Sequence, residues 1–202
     1  PSYGPDVLWE NRHPERGFVL RSAGTGLEGD HHSVRAAWGD FDNDGLEDLY
    51  VGMFLSAVPE EPDYLYRNAG DGRFDVVTPQ AVLERGASHG VSWADFDGDG
   101  DLDLALANND PGVGTHPLYR NELPDSVAAR SLQVVVLDAA GRATRAGAEV
   151  RLVDVASGRL LGVRLVETGG GYSSQSVRPV HFGLSPGVGL VHVEVTVLLD
   201  GE

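Results

Sequence analysis

A twelve-residue segment of this chain recurs with eight of its residues unchanged. Trp38-Gly39-Asp40-Phe41-Asp42-Asn43-Asp44-Gly45-Leu46-Glu47-Asp48-Leu49 returns 55 residues later as Trp93-Ala94-Asp95-Phe96-Asp97-Gly98-Asp99-Gly100-Asp101-Leu102-Asp103-Leu104. A repeat at fixed spacing means one supersecondary unit used more than once, which limits the fold before composition is considered. The register runs past the loop itself. Phe18-Val19-Leu20 precedes the first copy as Phe74-Asp75-Val76 precedes the second, and Leu65-Tyr66-Arg67-Asn68 follows the first as Leu118-Tyr119-Arg120-Asn121 follows the second. Within a unit the apolar runs are short and bounded by turn residues, as in Leu49 to Leu55 and Leu102 to Ala107, so they read as strands. Asn68-Ala69-Gly70-Asp71-Gly72 predicts a tight turn between hairpin arms Tyr64 to Asn68 and Arg73 to Val77. Pro79 to Arg85 is the one helical turn expected. Three or four strands per unit at this period predict blades of the β-propeller type, because the 3.6-residue periodicity of helical solenoids is absent.

Each copy also carries a dense acidic loop. With the first Asp as position 1, carboxylates stand at positions 1, 3, 5 and 9 and Gly at 6: Asp40, Asp42, Asp44, Gly45 and Asp48, then Asp95, Asp97, Asp99, Gly100 and Asp103. Hard divalent cations take oxygen ligands, and Ca2+ accepts six to eight of them at roughly 2.3–2.6 Å in a tolerant geometry, so alternate residues of a tight loop can converge on one ion. Position 7, Leu46 or Asp101, would add its backbone carbonyl. Two carboxylates about 4 Å apart repel by about 4 kcal/mol at an effective dielectric near 20, so four converging ones require a cation. Mg2+ demands stricter octahedral geometry, and Zn2+ prefers N and S donors that these loops lack. An EF-hand needs Glu at position 12, where this chain has Val51 or Leu106 inside an apolar run, so each loop should lead into a strand. Phe41, Phe96, Trp38 and Trp93 are expected to point away from the ion into the core. Two filled sites would bring the formal charge from −16 to −12.

That charge narrows function further. Fifteen basic residues, all Arg, stand against 31 Asp and Glu, and such a surface repels phosphate backbones and anionic lipid, which excludes nucleic acid as a partner. Without Lys there is no Schiff base and no phosphate-loop lysine, and without Cys there is neither a disulfide nor a thiolate metal site. No window approaches the run of about 18 apolar residues that a membrane span needs. With 27 Gly and 11 Pro in 202 residues, short elements and many turns are expected.

The repeats occupy residues 1–122, at about 18–73 and 74–122. A Pro- and Ala-bearing connector follows at 123–130, and a second domain at 131–202. Its Val- and Leu-rich runs, Leu132 to Leu137, Ala148 to Val155, Leu160 to Val166, Ser176 to Phe182 and Leu190 to Leu199, predict five strands of a small sandwich or partly open barrel. Val191, Val193, Val195 and Val197 alternate with polar residues, as in a half-buried antiparallel strand. The expected class is all-β: two blade-like repeats with calcium loops and a small C-terminal β domain.

The segments Trp38 to Gly45 and Trp93 to Gly100 resemble the FG-GAP/VCBS repeats of the integrin α-subunit type, and that resemblance covers about residues 17 to 122. Gly147-Ala148-Glu149-Val150, Gly171-Tyr172-Ser173-Ser174-Gln175-Ser176 and His181-Phe182-Gly183-Leu184 resemble the ASPIC/UnbV domain. The pairing is similar to the cartilage acidic protein family and its bacterial relatives. The resemblance implies an extracellular or cell-envelope calcium-binding protein, with propeller repeats followed by a small β domain. The expected role is a secreted, calcium-stabilised interaction module acting in adhesion or envelope assembly, with a protein or glycan partner and no catalysis. Closed propellers use about four or more blades, and two repeats are present here. Closure by oligomerisation, edges covered by the second domain and a longer chain all remain open. The rival readings are an accessory domain or enzyme acting on an extracellular polymer, and a purely structural oligomer.

Other motifs carry less. Gly86-Ala87-Ser88-His89-Gly90 satisfies Gly-x-Ser-x-Gly, yet the acidic loop follows it where a nucleophile elbow needs a helix. His31-His32 lacks companion ligands, His181 reads as structural, and Gly169-Gly170-Gly171 has no Gly-Lys-Ser/Thr after it. Tyr172, Ser174 and Gln175 suit a hydrogen-bonded turn.

Overall fold

The computed structural model describes residues 5–21, 23–29, 31, 33–53, 62–83, 88–108, 116–143, 145–169, 174 and 179–197, with Ser88 described by its backbone alone. The protein is nearly all β, and among the described residues its sheets stay separate, with none closed into a barrel. A hairpin of β1 (Trp9–Arg12) and β2 (Gly17–Leu20) comes first.

The first repeat forms a four-stranded antiparallel meander of β3 (Ser33–Gly39), β4 (Asp48–Met53), β5 (Tyr64–Asn68) and β6 (Phe74–Val76), in sequence order. Every residue of β4 is buried, as its unbroken Leu-Tyr-Val-Gly-Met run requires of a strand covered on both faces. Leu49, Val51 and Met53 pack with Leu27, Tyr66 and Phe74 on one side. On the other, the buried Tyr50 hydroxyl donates to Asp63 Oδ2 at 2.6 Å, and Asp63 Oδ1 accepts the Met53 N–H at 2.7 Å. The turn between β5 and β6 falls where the Gly-Asp-Gly run predicts it, closed by the Ala69 N–H on the Arg73 carbonyl.

The second repeat gives the sheet β7 (Ser88–Ala94), β8 (Asp103–Asn108) and β9 (Leu118–Tyr119), again in sequence order. Buried Arg35 of β3 donates from Nη2 to the Val91 carbonyl of β7 at 2.7 Å. The expected helical turn at Pro79 to Arg85 is present as far as it is described, with the Val82 and Leu83 N–H groups on the Pro79 carbonyl; residues 84 and 85 lie outside the described residues. A helical turn the sequence did not suggest, α1 (Asp125–Ala128), occupies the connector. Pro124 precedes it with φ −55°, and its carbonyl accepts the N–H groups of Val127 and Ala128, so a proline at the start organises the turn.

The C-terminal part holds two antiparallel sheets: β10 (Ser131–Val134) with β13 (Val180–Gly183), and β11 (Glu149–Asp154) between β12 (Leu160–Leu165) and β14 (Val191–Thr196). Val150 and Leu152 of β11 pack on Val180 and Phe182 of β13, with Leu132, Val134 and Leu161 closing around them. Gly162 leaves room for the Phe182 ring, which a Cβ there would meet at 3.2 Å, and the Arg164 guanidinium sits 5.0 Å from that ring's centroid. Val191, Val193 and Val195 of the alternating valines lie in β14, which ends before Val197, but Val193 and Val195 stay 37% and 43% exposed. They face Leu152 and Val150 in register at the edge of the sheet, and the core is centred on β11.

Two compact units emerge. The first contains Pro1–Gly39, Glu47–Val91 and Ala105–Tyr119; the second contains Asp40–Leu46, Ser92–Leu104 and Arg120–Glu202. The second unit therefore includes most of both acidic loops together with the C-terminal sheets.

Candidate metal centres

Each acidic loop is a sharp reversal between paired or neighbouring strands, and Gly at position 6 makes the reversal possible. Gly45 and Gly100 adopt φ of 93° and 101°, a region that L side chains avoid. Position 1 then folds its carboxylate back over the turn. Asp40 Oδ1 accepts the Asp44 N–H at 3.1 Å and Oδ2 the Gly45 N–H at 2.9 Å. Asp95 does the same in the second loop, with Oδ1 on the Gly98 N–H at 2.7 Å and Oδ2 on the Gly100 N–H at 3.1 Å. At position 5, Asp44 accepts the Leu46 N–H and Asp99 the Asp101 N–H.

Position 9 is anchored by an asparagine. Asp48 Oδ1 accepts the Asn68 N–H at 2.8 Å and Asp103 Oδ1 the Asn121 N–H at 2.8 Å, while the two Asn side chains donate from Nδ2 to the Glu47 and Leu102 carbonyls at 3.0 and 3.2 Å. The two loops thus share the position-1 bond to the glycine N–H and the anchoring of position 9. Asn68 and Asn121 were not among the predicted site residues, although the repeated Leu-Tyr-Arg-Asn signalled them.

In the first loop Asp40, Asp42 and Asp48 offer carboxylate oxygens that all lie within 4.8 Å of one another; in the second, Asp95, Asp97 and Asp99 do. Two oxygens on opposite sides of one Ca2+ at about 2.4 Å stand about 4.8 Å apart, so either trio fits around a single ion. Asp44 and Asp103 lie outside these trios, held by the backbone bonds described above. Leu46 and Asp101 stand at position 7, after the turn. The Asp101 side chain is more than a carrier for its carbonyl: it is fully buried, Oδ2 accepts the Leu123 N–H at 3.0 Å, and Oδ1 makes no hydrogen bond among the described residues. Burial, reinforced by the Asp99, Asp103 and Asp97 charges, pushes its pKa up to about 6, and burial also raises that of Asp103. A carboxylate oxygen buried without a partner beside three others is the electrostatic setting that a hard cation relieves. Arg120 supplies part of the missing charge at the second loop, with Nε 2.8 Å from Asp97 Oδ2 and Nη2 3.5 Å from Asp99 Oδ2.

Within the second unit the loops are tied together and to the C-terminal sheets. Asn43, buried and at φ 54°, donates from Nδ2 to the Gly100 carbonyl at 3.0 Å. Asn121 Nδ2 also donates to the Phe41 carbonyl at 2.7 Å. The Ser185 hydroxyl donates to the Asp44 carbonyl at 2.6 Å, and Gln133 Nε2 donates to Asp95 Oδ2 at 2.5 Å. His181 places Nε2 3.4 Å from the Gly100 carbonyl oxygen. Gly183 comes so close to the first loop that a Cβ would lie 2.1 Å from Asp40 Oδ2.

The expected inward packing of the four aromatics holds only in part. Trp93 is buried and stacks on half-buried Phe41, with centroids 6.5 Å apart and planes at 14°. Trp38 and Phe96 are 41% and 46% exposed. Along β3 the buried side carries Arg35 and Gly39, which puts Trp38 with exposed Ala36, and Phe96 sits at the open tip of its loop. Ser88 opens β7, so the Gly-x-Ser-x-Gly segment leads into a strand. His31 packs at 4.8 Å on the Tyr64 ring; His32, Tyr172 and Gln175 lie outside the described residues.

Residues 53–106 match the family model of an FG-GAP-like repeat. The match spans β5 to β7 and the second acidic loop; it covers neither the first loop nor the C-terminal sheets. No curated protein matches the chain. Among the described residues no helix is long and apolar enough to cross a membrane.

Proposed function

We propose that this chain is a calcium-stabilised interaction module of the extracellular space or cell envelope, in which each acidic loop holds one Ca2+ and the ion stiffens the turn from which the next strand departs. The observation that carries the reading is that each loop brings three carboxylates together, Asp40, Asp42 and Asp48 at positions 1, 3 and 9 of the first and Asp95, Asp97 and Asp99 at positions 1, 3 and 5 of the second. The FG-GAP-like repeat supports a β-repeat that presents a surface to a partner, and the charge of −16 favours calcium while disfavouring nucleic acid. The partner is a protein or glycan, recognised away from the metal, and no catalysis is assigned. The resemblance of the C-terminal part to an ASPIC/UnbV domain belongs to the same proposal, supported by His181 and Gly183 lying against the acidic loops.

Titration calorimetry of chelator-treated protein tests it. Calcium binds with two equivalents, and Asp42→Ala and Asp97→Ala each remove one. Absence of binding heat, or unchanged stoichiometry in both variants, overturns the proposal.

A further inference from the structure

Arg120 reaches the second acidic loop from outside it. Its Nε lies 2.8 Å from Asp97 Oδ2 and its Nη2 3.5 Å from Asp99 Oδ2, so one guanidinium spans two of the three carboxylates that converge there. The loop's own amides take the other oxygens. Asp97 Oδ1 accepts the Asp99 N–H at 3.3 Å and Asp99 Oδ1 the Asp101 N–H at 3.2 Å, while both oxygens of Asp95 are engaged by the Gly98 and Gly100 N–H groups. Among the described residues, the two oxygens of this trio that no loop amide holds are therefore the two that Arg120 meets.

The base of this side chain is fixed and its end is loose. Asn121, the next residue, is pinned by its N–H on Asp103 Oδ1 at 2.8 Å and by its Nδ2 on the Leu102 carbonyl at 3.2 Å. The Arg120 side chain itself is 57% exposed, so its guanidinium can leave the carboxylates for water without opening a hole. Its charge is permanent, and its planar fork of donors reaches two carboxylates at once, as the point charge of a lysine does not.

We infer that Arg120 is a tethered competitor of calcium at the second loop, its guanidinium holding Asp97 and Asp99 until the ion takes those oxygens and drives it into solvent. The inference rests on the calcium assignment proposed above and adds how the second site is tuned. A cation bound through Asp97 Oδ2 or Asp99 Oδ2 sits beside the guanidinium, and the two positive charges repel. Calcium prevails because it is divalent and held by several oxygens together, whereas an exposed ion pair contributes little and weakens with salt. The loop thereby keeps part of its charge balance without the ion, and binds the ion less tightly than its five aspartates, Asp95, Asp97, Asp99, Asp101 and Asp103, would alone.

Titration calorimetry of the full chain with calcium alone tests this, in an Asp42→Ala background so that the second equivalent is read by itself; should that background unfold, two-site fits in the otherwise native chain give the same comparison. Arg120→Gln tightens the second equivalent about tenfold at low salt, and by less as salt screens the pair. In chelator the same substitution lowers the melting temperature, because Asp97 and Asp99 lose that counter-charge. Opposite signs are the signature: a residue that merely shaped the loop would weaken calcium binding when replaced. Arg142→Gln removes an equal charge from a pair with Asp138 on another turn and leaves the affinity as it was. Arg120→Gln that binds calcium no more tightly than its parent overturns the inference, and so does equal tightening in Arg142→Gln. Either result leaves calcium binding itself standing, whereas absence of binding heat in the wild type removes the calcium assignment and this inference with it.

Discussion

Asn43 shows how much a residue of an acidic loop can carry when it is not one of the carboxylates. It is buried, stands at φ 54°, and spends its amide on the carbonyl of Gly100 in the other loop. Asn tolerates the left-handed region because its short side chain bonds locally; an Ala there costs about 1–2 kcal/mol for the backbone, and losing a buried hydrogen bond costs about 1 more. Asn43→Gly should lose only the second contribution. Denaturant unfolding should therefore rank wild type above Asn43→Gly, and Asn43→Gly above Asn43→Ala by about 1 kcal/mol. Asp101 gives a pH signature. Its pKa rises from 3.8 to about 6 on folding, so the folded state binds that proton more tightly, and the stability this brings is complete below 3.8 and lost as pH climbs through 6. In chelator, the melting temperature should fall more steeply over that interval in wild type than in Asp101→Asn, which keeps an acceptor for the Leu123 N–H. Equal slopes would remove burial of Asp101 as the cause.

At the scale of elements, the acidic loops were legible because their chemistry is local. Alternate aspartates reach a common point only in a tight turn, and Gly45 and Gly100 reveal where that turn reverses. Strands β4 and β8 follow each loop because the apolar run after the aspartates is only about six residues long, a length that suits a buried strand better than a helix. Illegible was the use of β13. Nothing in His-Phe-Gly-Leu says that Gly183 lies against Asp40, yet a Cβ there would sit 2.1 Å from Asp40 Oδ2 and 2.6 Å from the Asn43 Cα. Overpacking of this kind costs about 1–3 kcal/mol. Gly183→Ala should lose at least that much and weaken the first calcium equivalent selectively in calorimetry, while Gly189→Ala, with nothing within 4 Å of its Cβ, leaves both unchanged. The helical turn α1 was missed for a different reason: four residues are too few for any periodicity to show, and only Pro124 hinted at it.

For the whole molecule, stability should follow calcium. Each site saturated at a hundredfold excess over its dissociation constant adds about 2.7 kcal/mol, so chelation should lower the melting temperature in two increments, one lost in Asp42→Ala and one in Asp97→Ala. In chelator, added salt should recover part of the loss by screening the −16 charge, and it should do less once calcium has reduced that charge. A melting temperature indifferent to calcium would break the link between the loops and the scaffold. The amino-acid sequence on its own determined the repeat, its strands and its carboxylates, because each is written in residues a few positions apart. Only the tertiary structure decided that Asn43 reaches Gly100, that Ser185 and Gln133 hold the loops, and that Trp93 is covered while Trp38 is open. Those outcomes depend on which distant segments meet. No local pattern encodes that, because two loops of closely similar sequence acquire different neighbours.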